Sequence, residues 1–101
     1  MRRVVVTGMG VVSPLGTDLK GNFEGIVSGK SVVRRINDFD VSNFSCKVAA
    51  HVPFGIEAGQ FNPDALFSSK EQRHMDLFVI YGIAAGLQAL ADSGYEAVTE
   101  E

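Results

Sequence analysis

Three consecutive valines, Val4 to Val6, open the apolar pattern of the chain and read as a buried parallel strand. The strand runs into Thr7, Gly8 and Gly10, whose missing Cβ atoms suit a tight backbone turn at its carboxyl end. Val11 and Val12 follow, then a Ser13-Pro14-Leu15-Gly16 exit. Thr17 is the expected helix N-cap, with Asp18 in the first turn. Leu19, Phe23, Ile26 and Val27 fall at i, i+4, i+7 and i+8, one stripe of a short amphipathic helix, and Gly29 is its expected left-handed C-terminal stop. The opening unit is therefore strand, glycine turn, helix.

Beyond Gly29 the pattern weakens. Arg34 and Arg35 interrupt an apolar stretch, and Asn37-Asp38 suits a turn. From Ser45 to Val52 the residues alternate, with Cys46, Val48, Ala50 and Val52 on one side, which predicts a half-buried strand ended by Pro53. A loop from Phe54 to about Phe67 leads to a long helix, Ser69 to Ser93, closed by Gly94. Ser68 with Glu71, and Ser69 with Gln72, both have capping-box spacing and leave its first residue open. Between Asp76 and Asp92 only Tyr81 and Gln88 are polar, so this helix is expected to be buried all round. Gly82 with Gly86, and Ala85 with Ala89, would admit a close backbone neighbour. Such a helix needs a layer on each side, and the other elements supply about one. Either copies of the chain assemble around it or it belongs to a larger protein. The tail from Glu96 to Glu101, without a closing element, favours the second expectation.

Composition narrows the class. The 101 residues suit one small unit, and 46% apolar with 21% charged residues is globular. A net charge of −3 gives no nucleic-acid footprint. The single cysteine, Cys46, cannot form an internal disulfide, which points to a reducing compartment. Arg2 and Arg3 precede an apolar run too short for a signal sequence, and Leu77 to Leu87 falls short of the ~20 residues that span a bilayer. A cytoplasmic protein without membrane insertion is expected.

Candidate chemistry is sparse. The glycine turn lies where ligands bind in open α/β sheets. Gly8-Met9-Gly10-Val11-Val12-Ser13 nevertheless misses the third glycine of a dinucleotide fingerprint, and Pro14 interrupts the following helix. A structural corner fits better. Cys46, on the apolar side of its strand, is expected in the core. His51 and His74 have no partners at metal-ligand spacing, and no Ser-His-Asp or Cys-His set can be assembled. Lys70, Arg73 and His74, at i, i+3 and i+4, share one face of the long helix near its start, where positive charge opposes the macrodipole. An acidic partner and a solvated face, offset by Glu71 and Asp76, are equally good readings of these three.

Taken together, VVVTGMGVVSPLG, FDVSNF and KEQRHMDLFVIYGIAAGLQALADSG resemble the N-terminus of β-ketoacyl-acyl-carrier-protein synthases, the type II enzymes of bacterial fatty-acid synthesis in particular. The resemblance covers essentially the whole chain. It implies an α/β fold, the N-terminal part of a thiolase-like, layered α-β-α-β-α architecture that is incomplete here, with residues 1–101 forming no complete domain and the full protein a homodimer. It also implies a decarboxylative Claisen condensation through a cysteine thioester assisted by two histidines, with no cofactor and no metal. None of those motifs matches residues 1–101: Cys46, His51 and His74 do not fit them, so the chain alone should be inactive. One role carries over by position. Lys70 and Arg73 match the basic residues that dock acidic acyl-carrier protein, whereas His74 stands where Lys or Arg is common. Two rivals stay open: a non-catalytic, synthase-like subunit of a polyketide system and, more remotely, a dinucleotide-binding oxidoreductase.

Overall fold

The computed structural model describes residues 1–96; the tail from 97 onward, on which the expectation about Glu96 to Glu101 mostly falls, lies outside the described residues. Helix α1 spans Leu19–Val27. Its N-cap is Asp18 rather than Thr17: the Asp18 backbone is extended and its carboxylate accepts from the Gly21 N–H at 2.8 Å. A carboxylate there also faces the positive end of the helix. At the other end Gly29 takes φ 71°, the Gly29 N–H donates to Ile26 O and the Lys30 N–H to Gly25 O, a Schellman closure where Gly29 was expected to stop the helix.

Burial in α1 reverses the periodicity reading. Phe23, Ile26 and Val27 are all about two-thirds exposed, while Asn22 and Gly25 are buried. Gly25 faces the side chain of Leu15, and the Asn22 amide donates to Gly16 O at 3.0 Å and Asp18 O at 2.7 Å. The Ser13 hydroxyl donates to Asn22 Oδ1 and accepts from the Leu15 N–H. Asn22 can be buried because each of its polar atoms is paired. Polar bonding to the Ser13–Gly16 turn, closed by reciprocal backbone bonds, orients this helix. No described element covers its apolar stripe.

The expected buried strand at Val4 to Val6 is unpaired, with Val4 92% exposed. A parallel strand draws its hydrogen bonds from neighbours, and none lies beside it among the described residues. The sheet that does form is a two-stranded antiparallel ribbon, β1 (Arg34–Arg35) with β2 (Val48–Ala49). The strand expected from Ser45 to Val52 shrinks to those two residues because only Arg34 and Arg35 face it. Cys46 is exposed rather than in the core, its thiol donating to Val48 O at 3.3 Å.

The core is small: Phe61, Ile80 and Ala84, with Val12, Val52, Phe67, Met75 and Tyr81 packed around them. The loop after Pro53 delivers Phe61, held by a Gly55 N–H bond to Phe61 O and a Phe61 N–H bond to Pro53 O, before a short 3₁₀ turn at Pro63–Ala65. The Phe61 ring meets Tyr81 edge-on at 5.3 Å and Phe54 at 5.8 Å.

The long helix is two helices, α2 (Ser69–Arg73) and α3 (Leu77–Ser93). His74 and Met75 N–H groups bond three residues back, and Asp76 adopts extended backbone as the N-cap of α3. The break turns Met75 toward the core. Gly94 ends α3 in the left-handed region, as expected. The all-round burial expected of α3 does not hold: only Ile80 and Ala84 are buried, and Phe78 is 73% exposed. The described residues thus give mixed helix and strand, as an incomplete α/β unit would.

Candidate functional site

Two places merit scrutiny for chemistry: the glycine segment and the basic end of α2. Gly8 and Gly10 do not form a turn, and neither is among the glycines with positive φ. They are small because α3 lies against them. A Cβ on Gly10 would stand 2.0 Å from Ala85 O, and one on Gly8 2.3 Å from Ala89 O. The Ala85 and Ala89 pair thus receives a close backbone neighbour, whereas Gly82 and Gly86 face open space.

The amides of this segment are occupied too. Met9 N–H donates to Asp92 Oδ2 at 3.0 Å and Val11 N–H to Gln88 Oε1 at 3.2 Å, while Gln88 Nε2 donates to Thr17 O. A phosphate would need free amides and no competing anion. Here helix backbone fills the space and a carboxylate holds one amide, so the segment is structural, but it is a close-packed seat on α3 rather than the corner expected. The periodicity gave no role to Gln88 and Asp92. Their spacing of four on an otherwise apolar helix is the signal that could have found them.

The basic end of α2 is built on a capping pair and a clamp. Ser68 Oγ accepts from the Glu71 N–H at 3.2 Å and donates to Glu71 Oε1 at 3.1 Å, which fixes the start of the helix at the Ser68–Glu71 register. Gln72 Nε2 donates to Asp64 Oδ1 at 2.8 Å and to Phe67 O at 3.1 Å. Lys70 and Arg73 are exposed in the last turn, and exposed His74 is the C-cap. This corrects the electrostatic expectation. Because the helix stops at Arg73, the cations sit at its negative end and are mildly favourable rather than opposed. Stability alone can therefore account for them, and they need other support as a site.

Among the described residues the only side-chain ion pair is His51 Nδ1 with Asp38 Oδ2, at 4.0 Å, so neither Lys70 nor Arg73 has a carboxylate within that distance. The same pair is what His51 has in place of metal-ligating neighbours. No group of three or more His, Cys, Asp or Glu among the described residues could hold a metal. Ser42 donates its backbone N–H to Asp40 and holds that carboxyl below its ordinary range. Burial against the aromatic cluster raises the Tyr81 phenol.

Two concavities accompany these features. An apolar groove of about 720 Å³ runs along α3 past Gly8, Ile83, Gly86, Leu87, Leu90 and Tyr95. A deeper one of about 800 Å³ lies among Arg34, Arg35, His51, Phe54 and Tyr81. Cys46 lines neither. No helix there is long and apolar enough to cross a membrane.

Comparison with known proteins gives this arrangement its context. The chain is similar to 3-oxoacyl-[acyl-carrier-protein] synthase 2 of Vibrio cholerae, 47% identical over 100 residues, covering 99% of this chain and 22% of that protein. It is 40% identical over 102 residues to the synthase 2 of Rhizobium meliloti, covering all of this chain and 24% of the relative. The chain thus spans less than a quarter of the length of the curated relatives it matches. Among solved structures, the ishigamide ketosynthase/chain length factor superposes with a TM-score of 0.76 at 33% identity, over 94% of this chain and 22% of that one. A family model described as the N-terminal domain of beta-ketoacyl synthases matches residues 1–101. With the opening segment locked onto α3 and the match unbroken from end to end, this chain belongs to the beta-ketoacyl synthase N-terminal domain family.

Proposed function

We propose that this chain forms the N-terminal part of a 3-oxoacyl-[acyl-carrier-protein] synthase of fatty-acid biosynthesis. The observation that carries the reading is the unbroken family match, together with 40% and 47% identity to proteins of that name. In the reaction, a cysteine thiolate takes the acyl group from its carrier as a thioester. Malonyl-carrier protein then loses CO₂, the resulting enolate carbon attacks the thioester carbonyl, and the thiolate leaves. The cysteine and the two histidines would come from outside residues 1–101, and no cofactor or metal is called for.

This chain supplies architecture and docking. The Gly8–Gly10 segment seated on α3 would anchor one strand of a thiolase-like, layered half. The exposed apolar faces of α1 and α3 would be covered by the remaining layers of a cytoplasmic homodimer. Lys70 and Arg73, exposed and without carboxylate partners among the described residues, suit docking of the acidic acyl-carrier protein.

The full-length protein, assayed with acyl- and malonyl-carrier proteins, should form the 3-oxoacyl product, and the isolated chain should form none. Lys70→Glu with Arg73→Glu should raise the KM for carrier substrates about tenfold at low salt. Condensation by the isolated chain, or an unchanged KM, would count against the respective claim.

A second reading has its own support. The structural likeness to a ketosynthase/chain length factor admits a non-catalytic, synthase-like subunit of a polyketide system. The residue at the nucleophile position of the full-length protein separates the two. The dinucleotide-binding alternative loses its footing, because α3 occupies the space a pyrophosphate would need.

A further inference from the structure

We infer that Gln72 is a positioning residue for carrier docking, clamping α2 so that Lys70 and Arg73 present together; the inference rests on the carrier-docking reading above. Five residues are too few for a helix to persist unaided, since isolated helices shorter than ~12–15 residues are marginal in water. Something else must hold α2 in place. Its start is fixed by Ser68 and Glu71, but that pair is local to the helix and cannot orient it on the rest of the molecule. Gln72 makes the outward connection. One amide nitrogen spans to Asp64 Oδ1, on the 3₁₀ turn, and to Phe67 O, at the entrance to the helix. Phe67 itself packs on the core cluster of Phe61, Ile80 and Ala84, so the clamp ties α2 to a residue seated on that core.

The same bonds manage charge. The acids nearest in sequence to the two cations are Asp64, Glu71 and Asp76. Asp64 is held by the neutral Gln72 amide and Glu71 by the neutral Ser68 hydroxyl, and among the described residues no carboxylate comes within 4.0 Å of Lys70 or Arg73. Two of these acids are thus tied off on neutral partners, while Asp76, the N-cap of α3, makes no side-chain capping bond. The tied pair helps leave the cations available to an acidic protein and keeps the register of the two charges fixed. Docking of a charged patch depends on that register as well as on the number of charges.

The test uses the full-length protein, with malonyl-carrier protein saturating throughout, and two acyl donors: acyl-carrier protein, and the same acyl group on pantetheine, which has no carrier surface. Gln72→Ala and Asp64→Ala should each raise the KM for the carrier donor about 3- to 10-fold, the range for losing one ordinary hydrogen bond, since the Gln72–Asp64 bond is exposed. The rate with acyl-pantetheine and the kcat should stay unchanged. Asp64→Asn, which keeps the acceptor oxygen, should behave within about twofold of the parent protein, and the double variant Gln72→Ala with Asp64→Ala should be no worse than Gln72→Ala alone. If Gln72→Ala impairs both donors equally, its role is general folding and the inference falls. An unchanged KM in Gln72→Ala beside a raised KM in Lys70→Glu with Arg73→Glu would overturn the clamp and spare the docking surface. If the charge reversal also leaves KM unchanged, the docking reading itself is lost.

Discussion

A single methyl group separates glycine from alanine, and at position 10 that methyl would lie 2.0 Å from a carbonyl oxygen of α3. The obstacle is helix backbone, which cannot rotate away as a side chain can. Gly10→Ala should therefore cost about 3 kcal/mol or more, at or above the upper end for overpacking. A thermal midpoint of the full-length variant equal to the parent's would refute that packing account. The need for glycine here was legible as a motif, but its cause was not. The pattern suggested a turn, whereas the structure shows close approach to residues more than 70 positions away, as the Val11–Gln88 bond also does. Cys46 failed for a related reason: alternation predicted which side it lies on, and only the presence of a covering element decides whether that side is buried.

Helix ends were the most readable elements. Gly29 occupies the left-handed region at φ 71° with no heavy atom near its missing Cβ, so Gly29→Ala should cost about 1–2 kcal/mol through backbone strain alone. A lowered thermal midpoint with unchanged helix content by circular dichroism is the expected result, and an unchanged midpoint would be evidence against the left-handed stop. Periodicity erred where it joined α2 to α3. Apolar spacing runs on through His74–Asp76 and conceals the break, although Asp76 immediately before Leu77 is a residue type that commonly caps a new helix. That break also reversed the electrostatic argument about Lys70 and Arg73, since the end of the helix they occupy depends on where it stops.

The molecule as described exposes far more surface than its size requires. Its accessible area is 8339 Å², against about 5,500 Å² for a compact protein of this mass. The radius of gyration is 17.0 Å, where about 13 Å would be usual. Much of the excess is apolar, including Val4 to Val6, Phe23, Ile26, Phe78 and Leu90. The chain produced alone should accordingly bind a hydrophobic dye, associate with itself and lack a sharp unfolding transition. A monomer that melts cooperatively without binding dye would contradict this.

Features set by bonds between near neighbours were already present in the order of residues. The Gly29 and Gly94 stops, a Ser68–Glu71 start and the aspartates able to cap helices each depend on groups within a few positions of one another. The family membership is likewise written along the whole chain. Which faces are covered, why Gly8 and Gly10 carry no side chain, where α2 ends and how Gln72 reaches Asp64 depended on the folded arrangement. These depend on distant residues meeting, and a hydrophobic pattern states which face seeks cover without saying what arrives to provide it.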